Sequence, residues 1–357
     1  MAEPLKNYFS KYFITELGEN LNSASKNFNQ KKFEQSTLNS SWSNLELKER
    51  MHCITEQMHK NLEGDFSNQI LVLNKIAPKF TGLTAMVFPN FVEKYGQHDF
   101  KTSLQALHFY TRFSTSEFAI RPFLKKQPDT IKVLYDWAKD KNFHVRRLAS
   151  EGCRPLLPWA MKLEQYVLDP KPILPILERL INDKEDYVYR SVANNFNDIS
   201  KHHPKLVLSL AKKWQGQSDS ANWAIKHGLR TLLKKGNQDA MKLFGFSNAN
   251  YKIKELKIEE STIKIGNSTN FSFSICNTGA SSKLRLEYVI SYLKNNGKLS
   301  DKVFQISEKL FAKNETLNYS KKLNFFDLTT RKHYPGEHFL SLKINGVVAQ
   351  KIKFNLK

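Results

Sequence analysis

Apolar positions recur at helical spacing through the first two thirds of the chain and at strand spacing through the last third. In HVRRLASEGCRPLLPW (144–159), Val145, Leu148, Ala149 and Gly152 fall at i, i+3, i+4 and i+7, so one helical face collects them as a buried stripe. Arg147, Glu151 and Arg154 then share the opposite face and are expected to point outward. Pro155 and Pro158 remove backbone donors and end the helix, leaving Trp159 just beyond it. Similar helical periods run through DTIKVLYDWAKDKN (129–142) and PKPILPILERLINDKED (170–186), separated by short polar turns. From Tyr251 the texture changes. YKIKELKIEESTIKIG (251–266), TNFSFSICNTG (269–279) and EHFLSLKINGVVAQKIKFNL (337–356) alternate apolar and polar residues and are punctuated by Gly and Asn. The pattern predicts a mainly α protein with a helical domain over 1–247, a boundary near GFSNAN (245–250), and a small antiparallel β domain over 251–357. That second length suits an immunoglobulin-like sandwich.

The helical part contains a repeat. VRRLASEG (145–152) aligns with VYRSVANN (188–195) at a spacing of 43 positions, from 145 to 188, matching Arg147 to Arg190 and Glu151 to Asn194. A looser copy, AIKHGLR (224–230), follows 36 positions further on, from 188 to 224. Periods near 40 in helical pairs predict a HEAT-like solenoid, in which each repeat buries a face on its neighbours and leaves a curved surface for binding. The stripe in the second copy is Arg190, Asn194 and Asp198, at i, i+4 and i+8. Arginine and carboxylate from adjacent repeats are thus expected on one surface, although a solvated charged face reads the same way.

Charge narrows the class of partner. The chain of 357 residues carries 55 Lys and Arg against 34 Asp and Glu, a net charge of +21, which points to a polyanion and first to nucleic acid. With 40% hydrophobic and 12% aromatic residues there is ample material for packed cores, so disorder is excluded as the main state. The start, MAEPLKNYFSKYF, lacks an apolar signal core, and no apolar run approaches the roughly 20 residues that span a bilayer. A cytoplasmic protein is expected, without a membrane partner. Cys53, Cys153 and Cys276 lie far apart and in no CxxC arrangement, which fits a reducing compartment and no zinc cluster. His202 and His203 are adjacent and find no third ligand at metal spacing. No metal and no cofactor is expected.

Several motifs together resemble a known family. SEFAIRPFL (116–124), VRRLASEGCRPLLPWA (145–160), RSVANNFNDISK (190–201) and TTRKHYPGEH (329–338), with the opening AEPLKNYFS (2–10) and the LELKER segment (45–50), resemble the HEAT-like DNA alkylation repair glycosylases of the AlkC type. The resemblance is close to full length. It implies hydrolysis of the N-glycosidic bond of cationic N3-alkylated bases such as 3-methyladenine and 3-methylcytosine, in double-stranded DNA and without base flipping. It also implies an added immunoglobulin-like domain and a monomer with no obligate protein partner.

Such chemistry calls for carboxylates. An N3-alkylated base is already cationic, so cleavage shifts positive charge onto the deoxyribose, and a fixed carboxylate stabilises that oxocarbenium-like sugar or orients the attacking water. The resemblance assigns this work to Glu117, Glu151 and Asp198, with Trp159 contacting the sugar or the cationic base through its π face. Each residue also has a plainer reading. Glu117 follows Ser114 at the S-x-x-E capping-box spacing; Arg147 and Glu151 form an i,i+4 surface pair; Asp198 is a solvated helix residue; Trp159 fills a gap. Arg147, Arg154 and Arg190 serve either as partners of these acids or, the reading preferred here, as phosphate contacts. In the β domain, Arg331, Lys332 and His333 precede a Tyr-Pro-Gly turn and are expected to reach DNA, the alternative being a solvated hairpin. Two rival functions remain: a protein adaptor, which gains nothing from the +21 charge, and a non-catalytic DNA-binding repeat protein.

Overall fold

The computed structural model describes residues 3–247, 249–328 and 331–357; Thr329 and Thr330, which open the TTRKHYPGEH motif, lie outside the described residues. The chain divides into two compact units, one ending at Gly228 and one beginning at Leu229.

The first unit is helical. Its first half holds α1 (Lys11–Ala24), α2 (Gln30–Thr37), α3 (Leu47–Asn61), α4 (Phe66–Ile76), α5 (Val87–Tyr95) and α6 (Phe100–Tyr110). Side-chain oxygens start several of them where helical N–H groups lack partners: Ser10 accepts from the Phe13 amide at 3.2 Å, and Asp65 from the Asn68 amide at 2.9 Å. Their apolar faces meet in an aromatic core in which Phe13, Phe80, Phe88 and Tyr110 form a chain of ring contacts.

Its second half holds α7 (Arg121–Lys126), α8 (Thr130–Trp137), α9 (Phe143–Gly152), α10 (Glu164–Leu168), α11 (Leu174–Leu180), α12 (Asp186–Ser200), α13 (Pro204–Trp214) and α14 (Asp219–Gly228). The sequence repeat maps onto α9, α12 and α14, and α12 packs against both of the others. Val145, Leu148 and Ala149 are buried as their spacing predicts. Gly152 is buried too, because a Cβ there would sit 2.6 Å from Ile120 Cγ2. Asn142 caps α9 by accepting from the His144 amide at 2.9 Å. The helix stops at Gly152, three residues before Pro155.

Among its described residues the second unit contains α15 (Arg230–Lys235), α16 (Gln238–Leu243) and eight strands. One sheet is ordered β1 (Tyr251–Ile258), β3 (Ser268–Asn277), β6 (Thr316–Asn324); the other runs β2 (Thr262–Ile263), β8 (Val347–Leu356), β7 (Gly336–Ile344), β4 (Ser282–Leu293), β5 (Leu299–Phe311). The pairings are antiparallel except β2 with β8, which is parallel. Inward residues at period two, such as Phe271, Phe273 and Ile275 on β3 and Leu340 and Leu342 on β7, form the core of an immunoglobulin-like unit.

The two short helices that periodicity groups with the helical domain pack instead with the strands. Lys343 Nζ donates to the Lys234 carbonyl at 2.5 Å, and Asn345 Nδ2 donates to the Ser247 carbonyl at 2.8 Å. Gly236 ends α15 in the left-handed region at φ 76°, and a Cβ on it would lie 2.3 Å from the Gly346 carbonyl oxygen. Gly236→Ala is therefore expected to cost this unit about 2 kcal/mol or more, combining left-handed strain with a backbone clash. Scanning calorimetry should show the loss in the transition of the C-terminal unit.

Candidate active site in a carboxylate and arginine cleft

Segments far apart in sequence build one cleft of about 360 Å³. The turn before α7 supplies Thr115 and Glu117, the end of α9 supplies Glu151, and the loop after it supplies Arg154 and Trp159. The opposite wall is apolar and comes from the N-terminal helices, including Phe9, Met51, Leu83 and Met86. Among the described residues that line it, no histidine, asparagine or glutamine is present to read a base edge.

The charged groups are held by one another. Arg147 Nη1 donates to Glu117 Oε2 and, at 2.9 Å, to Thr115 Oγ1, while its Nη2 stands 3.6 Å from Glu151 Oε1. Arg154 Nη1 donates to Glu151 Oε1 at 2.6 Å and its Nε to Asp198 Oδ2 at 3.0 Å. Ser191 Oγ fills Glu151 Oε2 at 2.6 Å, and Lys201 Nζ reaches Asp198 Oδ1 at 3.2 Å. Burial alone would lower the pKa of Arg147, but Glu117 and Glu151 outweigh it and hold it above the ordinary arginine value. Arg154 behaves likewise, burial being outweighed by Glu151 and Asp198. Each arginine thus bridges two carboxylates, which lets like charges crowd together without repelling one another apart.

This arrangement corrects the expected outward stripe. Glu151 and Arg154 are only 5% and 7% exposed, because α12 covers that side of α9: Ser191 bonds Glu151, and Asn195 Nδ2 donates to the Ser150 carbonyl at 2.9 Å. Arg147 and Arg154 are correspondingly ion-pair partners of the carboxylates. Glu117 is not a capping-box residue either. Ser114 Oγ donates to the Gly82 carbonyl, and the Glu117 carboxylate is occupied by Thr115 and Arg147. Asp198 joins the cluster from behind Arg154 and does not line the cleft.

Arg190 stands apart from the cluster. It is 53% exposed at its side chain, pairs with Asp186 at 2.5 Å and lies over the Trp223 ring at 4.7 Å. His203 bonds the Val167 carbonyl at 2.8 Å. In the β unit Lys332 is exposed and Arg331 lies over the Tyr292 ring at 4.7 Å. His333, expected to reach DNA, is turned inward. Its side chain is 1% exposed, packed against Tyr292 and Phe325, and burial pushes its pKa down.

Sequence reasoning overlooked Arg121. It is fully buried in α7 and donates to the carbonyls of Gly152 (3.0 Å), Arg154 (2.8 Å) and Met161 (2.8 Å), so it pins both ends of the loop that carries Trp159. Burial lowers its pKa to about 10. An arginine inside the apolar run FAIRPFL was the available signal, since such a residue must find partners. Arg121→Met is expected to cost about 3 kcal/mol, because three carbonyls lose their donor, and thermal unfolding measures this.

Comparison with known proteins identifies the family. Residues 105–232 match the model of the DNA alkylation repair enzyme family, and 252–357 match that of the YhaZ C-terminal Ig-like domain. The chain is 43% identical over 354 residues, 99% of both chains, to the uncharacterized protein YhaZ of Bacillus subtilis (strain 168). Its structure superposes with a TM-score of 0.96 on the Pseudomonas fluorescens alkylpurine DNA glycosylase AlkC bound to DNA containing an abasic site analog, at 34% identity and covering 99% of this chain and 100% of that one. The chain belongs to the AlkC family of DNA alkylation repair enzymes. Glu117, Arg147, Glu151, Arg154, Trp159 and Asp198 all fall within the stretch matched by the alkylation repair model, whereas the apolar wall contributed by Phe9, Met51, Leu83 and Met86 lies outside it.

Proposed function

We propose that the protein is a DNA glycosylase of base excision repair that hydrolyses the N-glycosidic bond of cationic N3-alkylated bases, 3-methyladenine and 3-methylcytosine, in double-stranded DNA without flipping them. The observation that carries this reading is the pair Glu117 and Glu151 on the wall of an otherwise apolar cleft, with Trp159 at its rim. Low-dielectric walls strengthen the interaction of fixed carboxylates with a developing positive charge. Arg147, Thr115, Ser191 and Arg154 hold both carboxylates before substrate arrives, so little reorganisation is needed. Glu117 and Glu151 face the sugar and the attacking water; Asp198 acts through Arg154. Trp159 offers its π face to the cationic base or sugar.

The helices α9, α12 and α14 are read as successive HEAT-like turns, their repeat and side-by-side packing supporting this. The helical unit that ends at Gly228 carries the chemistry, and the strands from Tyr251 onward add DNA contacts through Arg331 and Lys332, with Arg190 a further phosphate contact. No helix among the described residues is long and apolar enough to cross a membrane. The protein is proposed to act as a monomer in the cytoplasm, with no cofactor. The test is incubation with a duplex carrying 3-methyladenine: free base should appear together with an abasic strand. Tight binding with no base released favours the rival reading, a DNA-binding repeat protein without catalysis.

A further inference from the structure

Lys48 lies on α3, outside the stretch matched by the alkylation repair model, yet it lines the cleft. Its Nζ donates to the carbonyl oxygen of Trp159 and stands 5.1 Å from the centre of the Phe118 ring. One side chain thereby joins three parts of the rim: α3, the turn that carries Glu117, and the loop that carries Trp159.

Trp159 needs such a tie. Its φ is 62°, in the left-handed region that a residue with a Cβ rarely occupies unless its surroundings enforce it. The indole is 73% exposed, so packing does little to hold it. Arg121 fixes the loop at Arg154 and Met161, on either side of Trp159; of the peptide that follows Trp159, the Ala160 amide reaches the Leu157 carbonyl at 3.4 Å, and the carbonyl is left to another anchor. Lys48 occupies that place.

We propose that Lys48 is a positioning residue for the proposed glycosylase reaction: by holding the Trp159 carbonyl it keeps the backbone in its left-handed form and the indole against the cleft. The inference rests on the glycosylase reading for its kinetic consequence, but not for its structural one. Without the ammonium, the Trp159 peptide relaxes toward the extended region and the indole swings away from Glu117 and Glu151.

Lys48→Met is expected to lower the single-turnover excision rate on a 3-methyladenine duplex about tenfold, in line with the sensitivity of rate to misplacement of a contacting group. Melting temperature and duplex affinity should stay near those of the unaltered chain. Lys48→Arg, which keeps a cationic donor, should recover most of the rate. Lys48→Met combined with Trp159→Ala should be no slower than Trp159→Ala alone, since both remove one function. Multiplied losses in the double variant, or weaker binding with a shallower salt dependence, would overturn the proposal and make Lys48 a phosphate contact. A second measurement does not need activity. The emission of Trp159, taken as the difference between each chain and its Trp159→Phe counterpart, should change in Lys48→Met and return in Lys48→Arg. Unchanged emission overturns the proposal; changed emission in a chain that releases no base leaves it standing and removes the glycosylase reading instead.

Discussion

Glu151→Gln is expected to lose about 10²-fold or more in single-turnover excision while duplex affinity stays close to that of the unaltered chain. The magnitude follows from removing one preorganised contact to a developing charge, worth roughly 3 kcal/mol in a site shielded from water. Glutamine keeps the size of the side chain and an oxygen to accept from Arg154, and its amide nitrogen can donate to the Ser191 hydroxyl, so the α9–α12 contact survives. Arg154 retains Asp198, and Arg147 retains Glu117, which limits the structural consequence to one missing charge. The rival account is that Glu151 only pairs the two arginines. In that case the variant should melt at a lower temperature yet excise within a few-fold of normal, since the ion pairs are structural. Measuring rate and melting temperature on the same sample separates the two.

The carboxylates and their arginines were legible in the sequence, but their surroundings were not. Periodicity placed Arg147, Glu151 and Arg154 on one face of α9, and the 43-position repeat brought α12 alongside. A helical wheel shows which residues share a face; it does not show what covers that face. The burial of Glu151 is decided by Ser191 and Asn195, whose small polar side chains let α12 approach closely while satisfying the charge. The apolar wall escaped detection because Phe9, Met51, Leu83 and Met86 come from three separate segments and each reads as ordinary core. His333 failed for a related reason: its neighbours Tyr292 and Phe325 make an aromatic pocket that no local pattern reveals. The β texture was clear from Tyr251 onward, whereas the placement of α15 and α16 depends on contacts with residues about a hundred positions away, such as Lys234 with Lys343.

Selectivity for charged lesions is the second large effect expected, at about 10³-fold or more in single-turnover rate between 3-methyladenine and any neutral lesion. A neutral base such as uracil, hypoxanthine or 1,N6-ethenoadenine departs poorly unless a general acid protonates it or base-edge hydrogen bonds draw electrons from it. The cleft offers neither. Glu117 and Glu151 accept hydrogen bonds from Thr115, Arg147, Arg154 and Ser191, so the site engages them as acceptors. No histidine lines the cleft among the described residues, and its far wall is hydrocarbon and aromatic apart from Lys48, whose ammonium is held by the Trp159 carbonyl. A base that already carries positive charge needs no proton, and the fixed carboxylates then act where the new charge appears, on the sugar. The measurement is a panel of duplexes, each with one lesion, assayed at matched enzyme excess. Release of a neutral base at a rate near that of 3-methyladenine would overturn the mechanism, because it would require a general acid acting in the cleft.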